Sequence, residues 1–212
     1  EYLYDKSGRI NGIIRDQALP YVIDKVIGTM LTPDEYRKAC QIAIDNLHDR
    51  GFTNFFDAWL NFADDSSLYK YIKEFDDAGK LNLNVGACYN IRSYESEKYK
   101  EVVDHVLDIA DKYHSKHFNP YYIKLFADGV VEQNTGWLLG EYKLNEEGHK
   151  HGNIIWTEEE LKNVIKYANS KGLLIHTHAF GDGACHAVIN AYLKSNEELG
   201  KKYRNGHSCL PK

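Results

Sequence analysis

Apolar positions along this chain follow two spacings in turn. Where they recur every three or four residues the chain reads as amphipathic helix; where short apolar runs stand between turn residues it reads as strand. Thr32-Pro33-Asp34-Glu35 is a capping box with proline at the first helical position. The stripe Ala39, Ile42, Ala43, Asn46 and Leu47 predicts a helix from there to Gly51. Residues 52–58 read as a buried strand, with Phe52, Phe55 and Phe56. A helix over 66–78 follows from Leu68, Tyr71, Ile72 and Phe75, and a strand over 81–89 comes next. Val102, Val103, Val106, Leu107 and Ala110 predict a long helix over 93–114, before a strand over 121–127. Thr157-Glu158-Glu159-Glu160 is a second capping box, opening a helix with Leu161, Val164, Ile165 and Ala168 inward. A strand over 173–178, a helix over 182–199 closed by Gly200, and a short strand within 203–209 complete the pattern.

About five strands alternating with helices predict an α/β fold with a parallel sheet, either doubly wound or a (β/α)8 barrel. No GxGxxG follows the first strand and no GxxxxGK[ST] occurs, so neither a dinucleotide nor a P-loop site is expected. A complete barrel takes about 250 residues. Five βα units in 212 residues therefore predict a partial TIM-type barrel, a single fragment over 1–212. Residues 1–31 read as an inserted or N-terminal β segment with a turn at Asp5-Lys6-Ser7-Gly8-Arg9, and 32–212 as the barrel units. Residues 129–156, with glycines at 129, 136, 140, 148 and 152, form a long insertion after a strand. Loops of that length are usually functional or disordered, and this one leaves the carboxyl end of a strand, where such folds build active sites.

Composition narrows the function classes. Hydrophobic residues make up 43% and charged residues 27%, as in a soluble globular protein. No apolar run reaches the ~18 residues of a membrane span, and no signal peptide opens the chain at Glu1. With 26 basic and 31 acidic residues the net charge is −5 and no basic stripe stands out, which argues against nucleic acid and anionic membrane as partners. Cys40, Cys88, Cys185 and Cys209 form no CxxC and read as free thiols, predicting a reducing, cytoplasmic setting.

Three places carry candidate chemistry. In Leu174-Ile175-His176-Thr177-His178-Ala179-Phe180-Gly181-Asp182-Gly183-Ala184, strand parity puts His176 and His178 on one face at a strand's carboxyl end. Two imidazoles there suit a shared divalent metal, or hydrogen bonds to loop backbone. Asp182 reads as the N-cap of the next helix. In Tyr122-Ile123-Lys124-Leu125-Phe126-Ala127-Asp128-Gly129, Lys124 interrupts an apolar strand and shares a face with Tyr122, Phe126 and Asp128. A buried lysine there is a Schiff-base nucleophile, a carbamylated metal ligand, or a partner for Asp128 or a neighbouring strand. His207 ends a short strand, alone and at the surface by default. Asp57 is a site residue or a turn former. His149 and His151 read as solvated loop histidines, and His114 and His117 as cations at a helix end.

Taken in order, these pieces resemble one family. Gly51-Phe52-Thr53-Asn54-Phe55-Phe56-Asp57-Ala58, the strand from Ile123 to Gly129, and His178-Ala179-Phe180-Gly181-Asp182-Gly183-Ala184 are similar to three successive motifs of the amidohydrolase-3 branch of the metal-dependent amidohydrolases. That branch includes N-substituted formamide deformylases and exoenzyme regulatory proteins. The resemblance runs from residue 1 to residue 209. It implies a (β/α)8 barrel with one or two divalent metals at the carboxyl ends of its strands, most readily zinc, with iron or manganese as alternatives. It implies Lys124, carbamylated, as the strand-four ligand, His178 as the strand-five ligand and His207 as the strand-six ligand. Asp128 and His176 would face substrate.

In this reading the HxH strand one lies before Glu1 and strands seven and eight, with the general-base aspartate, lie beyond Lys212. The chain is then an internal fragment, inactive by itself. The strand-six match is the thinnest, because Arg204 and His207 are three apart where the family has five, and the glutamate is missing. The implied reaction is attack of metal-activated water on a small-molecule amide or formamide, a C–N bond other than a peptide. A regulatory or binding module that kept the scaffold without a full metal site is the alternative, and a Schiff-base lyase using Lys124 a third reading. Open strand edges predict self-association.

Overall fold

The computed structural model describes residues 2–14, 22, 31–61, 67–143, 151–200 and 206–208. Strands β1 (Tyr2–Tyr4) and β2 (Ile10–Ile14) pair antiparallel about the expected turn. Asp5 builds that turn, its Oδ1 accepting N–H groups from Ser7 at 2.8 Å and Arg9 at 3.0 Å. The chain then alternates through α1 (Pro33–Asp49), β3 (Asn54–Asp57), α2 (Ser67–Asp77), β4 (Asn84–Asn90), α3 (Tyr99–Tyr113), β5 (Phe118–Phe126), α4 (Glu158–Ser170), β6 (Leu174–His178), α5 (Asp182–Leu199) and β7 (Gly206–Ser208). No helix among the described residues is long and apolar enough to cross a membrane.

Strands β3 to β7 form one five-stranded sheet, parallel throughout and in sequence order. A doubly wound sheet reverses its strand order at a switch point. This one does not, so of the two expected architectures the barrel type is the one found. The sheet also curls. Strands β3 and β6 are three spacings apart, about 14 Å across a flat sheet, yet the rings of Phe56 and His176 stack with centroids 5.2 Å apart. The result is a curled half-barrel.

Parity divides β5 as expected. Ile123, Leu125 and Ala127 bury against the helices, while Tyr122, Lys124 and Phe126 belong to the concave face. Ile175 of β6 and Val85, Ala87 and Tyr89 of β4 join the outward set, packed with Val103, Val106, Leu161, Val164, Ile165 and Val188 from α3, α4 and α5. Each fully buried aliphatic side chain there contributes roughly 1.5–3 kcal/mol. Both predicted capping boxes form, with Glu35 N–H donating to Thr32 Oγ1 and Glu160 N–H to Thr157 Oγ1.

Four expectations are corrected. The strand over 52–58 is not buried: β3 is an edge, and Phe55 and Phe56 are each 39% exposed. The α1 stripe is rotated, since Ile44 is its buried residue and Ile42 is 50% exposed. Among the described residues helix α1 packs on α2, and Ala39 and Ala43 border an apolar groove of about 230 Å³, shared with Leu68, Ile72 and Asp57. The helix over 93–114 begins as a 3₁₀ segment, Ser93–Lys98, because those residues offer no aliphatic side chain to anchor an α-turn, and Glu95 instead accepts the Arg92 N–H at 2.8 Å. Asp182 is not an N-cap. Gly181 holds that position, and Asp182 stands in the first turn of α5.

The far end of the sheet is tied by a carboxylate. Asp76, at the end of α2, accepts from Ser115 Oγ at 2.6 Å, from the His117 N–H at 2.7 Å, and pairs with His117 Nδ1 at 2.7 Å. His117 is thus an ion-pair partner, not the helix-end cation expected of it. Burial alone would raise the Asp76 carboxyl, but these bonds outweigh it and hold it below the usual aspartate range. A depressed carboxyl adds stability above its unfolded pKa, near ~4, and loses it as pH falls through the folded value. Asp76→Asn is therefore expected to cost about 1–3 kcal/mol at pH 7 by urea denaturation, with the gap to the unmodified chain closing below pH ~4. An equal gap at both pH values would contradict the assignment. The open β3 edge predicts self-association: light scattering is expected to show mass above one chain, and Phe55→Lys to shift it toward the monomer.

Candidate metal centre

The ladder between β5 and β6 sets Lys124 opposite His176 and Phe126 opposite His178. Paired positions in a parallel sheet share a face, so the two histidines and Lys124 belong to the concave side. Lys124 is only 3% exposed, and its Nζ lies 4.7 Å from the Phe126 ring centroid. The ring face meets the ammonium charge in place of water. His176 stacks on Phe56, at an interplanar angle of 11°.

His178 is 8% exposed and lies between Phe126 and Phe180, at centroid distances of 5.2 and 6.2 Å. Its Nε2 is 2.8 Å from the carbonyl oxygen of Gly129. A carbonyl only accepts, so Nε2 carries a proton, and the neutral form of a ring held this way has its lone pair on Nδ1. That is the arrangement in which a backbone carbonyl orients a ligating histidine from its far nitrogen.

Asp128 is 1% exposed. Its Oδ1 accepts the Phe180 N–H at 2.9 Å, and its Oδ2 accepts the N–H groups of Trp137 and Gly181, each at 2.8 Å. Oδ1 also lies 3.8 Å from His178 Nε2. Burial pushes the carboxyl up against the pull of these donors. Its oxygens are taken up by backbone of two loops. These contacts join the two sequence motifs into one body. The turn after β6 donates to the side chain of Asp128, and the side chain of His178 donates back to the loop after β5.

That loop is packed down over its described length. The Trp137 carbonyl accepts the N–H groups of Gly183 and Ala184 at the start of α5, and Asp182 Oδ1 accepts the Leu139 N–H at 2.9 Å. Its two arms meet where the Leu138 N–H donates to His151 O at 2.8 Å, and Trp156 returns to the core. His151 is exposed as expected, and its Nδ1 lies 3.0 Å from Gly140 O, bracing the loop from the solvent side. His149 lies outside the described residues.

The other candidates separate. The register pairs position 207 with Thr177, while Gly206 and Ser208 pair with His176 and His178. Thr177 belongs to the outward set and bonds Tyr192 of α5 at 2.7 Å. Position 207 thus pairs in a different register step from Lys124 and His178, and its side chain lies outside the described residues. Asp57 is a turn former: its Oδ1 accepts the Trp59 N–H at 2.9 Å, and burial raises its carboxyl. His114 caps α3 and rests on Tyr121. Cys88 is buried and its thiol is pushed up to about 12, which keeps it protonated and a poor ligand. Sequence reasoning missed Trp59 and Phe180, whose aromatic character just past strand ends was the available signal, and Trp137 in the loop after β5.

Among the described residues no three His, Cys, Asp or Glu side chains gather closely enough to hold a metal. Lys124 and His178 nonetheless fit part of a divalent shell. His178 offers a neutral nitrogen whose other N–H is already engaged, and a carbamylated lysine would offer anionic oxygen.

A family model described as "Amidohydrolase family" matches residues 1–209. The exoenzymes regulatory protein AepA of Pectobacterium carotovorum subsp. carotovorum is 23% identical over 206 residues, 93% of this chain and 41% of the relative. The putative amidohydrolase YtcJ of Bacillus subtilis (strain 168) is 24% identical over 208 residues, 96% of this chain and 36% of the relative. The chain thus spans about two fifths of the length of these relatives. Two uncharacterized metal-dependent hydrolases of known structure share the fold. That from Pyrococcus horikoshii OT3 has a TM-score of 0.65 at 23% identity, covering 93% of this chain and 37% of its own. That from Pyrococcus furiosus has a TM-score of 0.64 at 23% identity, covering 91% and 38%.

The packed loop makes a sharp demand on Gly181, because a Cβ there would overlap the carbonyl of Trp137. Gly181→Ala is expected to cost about 1–3 kcal/mol by denaturant unfolding and to speed hydrogen exchange at the Gly183 and Ala184 amides. Unchanged exchange there would show that the loop does not depend on this contact.

Proposed function

Because the chain belongs to the amidohydrolase family, we propose that the whole protein is a metal-dependent hydrolase that cleaves C–N bonds of non-peptide amides, N-substituted formamides among them. The observation that carries this reading is the pair of buried groups Lys124 and His178 on the concave face at the carboxyl ends of neighbouring strands. In this reading 1–212 is part of one barrel domain, and the remaining donors and the general base come from outside the described residues.

A divalent metal, most readily zinc, would acidify a bound water and polarise the scissile carbonyl. The residues of this chain have separable tasks. His178 presents Nδ1 while Gly129 O holds Nε2–H. The neutral amine of Lys124 adds to carbon dioxide, forming an N–C bond and releasing a proton, and the carbamate supplies an anionic oxygen. Phe126 flanks both groups, Phe180 stacks on His178 and Trp59 packs on Phe126, an apolar surface that excludes bulk water and strengthens charge interactions there. His176, stacked on Phe56, faces the same concavity and is the candidate for substrate contact.

A second reading is favoured by the offset of position 207 and by the regulatory name of one relative. In it the half-barrel is a regulatory or binding module without a working metal site. The free thiols of Cys40, Cys88 and Cys185 suit a cytoplasmic protein in either reading.

Elemental analysis separates the two. About one zinc, iron or manganese per chain is expected, as in a single catalytic site, with loss in Lys124→Ala. The whole protein is expected to release amine from N-substituted formamides, at a rate at least ~100-fold lower in His178→Ala. Metal retained in both variants, or absent from the whole protein, would overturn the hydrolase reading and leave the module.

A further inference from the structure

A buried carboxylate beside a candidate metal ligand, spent entirely on backbone, calls for an explanation of what it positions. Asp128 joins the loop after β5, through Trp137, to the turn after β6, through Phe180 and Gly181. The same residue is the chain neighbour of Gly129, whose carbonyl receives His178 Nε2–H. The two directions of bonding close a small ring. Asp128 pulls the turn inward by its N–H groups, and the turn's histidine leans back on the next carbonyl.

We propose that Asp128 is a positioning residue for His178: by fastening the turn to the loop it keeps the Gly129 carbonyl on Nε2 and so reserves Nδ1 for the metal. This rests on the hydrolase reading only in naming the metal; the tautomer it sets is a property of the metal-free chain. Asp128 touches neither metal nor substrate in this role. Asn at 128 keeps the shape but turns one acceptor into a donor, placed against backbone N–H groups. The turn then separates from the loop, the Gly129 carbonyl leaves Nε2, and either ring nitrogen can hold the proton.

The test is long-range proton–nitrogen NMR of the His178 ring in metal-free protein, with cobalt(II) titration as a second readout. The unmodified chain is expected to show the Nε2–H tautomer alone. Asp128→Asn is expected to show a mixture and to bind cobalt about 10–100-fold more weakly. A folded Asp128→Asn protein with the tautomer unchanged would overturn the proposal. Should that variant fail to fold, Gly181→Ala displaces the Trp137 carbonyl with Asp128 intact, and the same tautomer mixture is expected; a pure Nε2–H ring there would overturn it. If the unmodified chain binds no cobalt, the metal reading fails while the tautomer still decides the role of Asp128.

Discussion

A carboxylate with almost no exposure must have its charge met by donors, and at Asp128 those donors are three backbone N–H groups from two loops that are far apart in sequence. Hydrogen bonds to a charged acceptor are stronger than neutral ones, and the dry surroundings magnify them. The carboxyl ends of β5 and β6 are thereby held as one piece, and the remaining features of that end follow from it. Trp137 is brought onto the first turn of α5, which leaves room only for glycine at 181. His178 is turned so that Nε2 reaches Gly129. The loop after β5, which by length alone is either functional or disordered, is packed down through these contacts over its described residues.

The concave face is organised differently, by rings. Phe56 stacks on His176 and meets Tyr122 edge-on, while Phe126 meets Trp59, His178 and the Lys124 ammonium. Aromatic edges and faces satisfy one another, and the Phe126 ring face meets the Lys124 cation. This explains how a lysine and two histidines sit on one side of a sheet whose other side is mostly aliphatic. The helices cover that aliphatic side, and the curl of the sheet brings the rings of β3 and β6 into contact. At the amino-terminal end Asp76 plays the part that Asp128 plays at the other, tying a helix end to the loop before β5.

Much of this was legible before any coordinates. The two capping boxes, the alternation of strand and helix, the parity of Lys124 with Phe126 and the likeness to the amidohydrolase family all follow from short-range pattern, because helix caps and strand faces are set by neighbours a few residues away. The misreadings have one cause. Phe55 and Phe56 look like buried strand residues and Ile42 like a helix face, but burial depends on what covers a surface, and β3 stands at an edge. Likewise Asp182 is a good N-cap residue that gave way to Gly181, since the close approach of Trp137 leaves no space for a side chain there.

The sequence by itself determined which residues carry the chemistry and which face of each strand they share, since a period of two needs no knowledge of the fold. It put His176 with His178, and Lys124 with Phe126, on that ground alone. Only the tertiary structure decided what each of them does. Which backbone groups Asp128 meets, which nitrogen of His178 is engaged, and which step of the ladder position 207 takes depend on contacts between segments about 30 to 50 residues apart. Such contacts leave no local pattern in the chain, because the partner of a carboxylate can be any backbone N–H that the fold delivers to it.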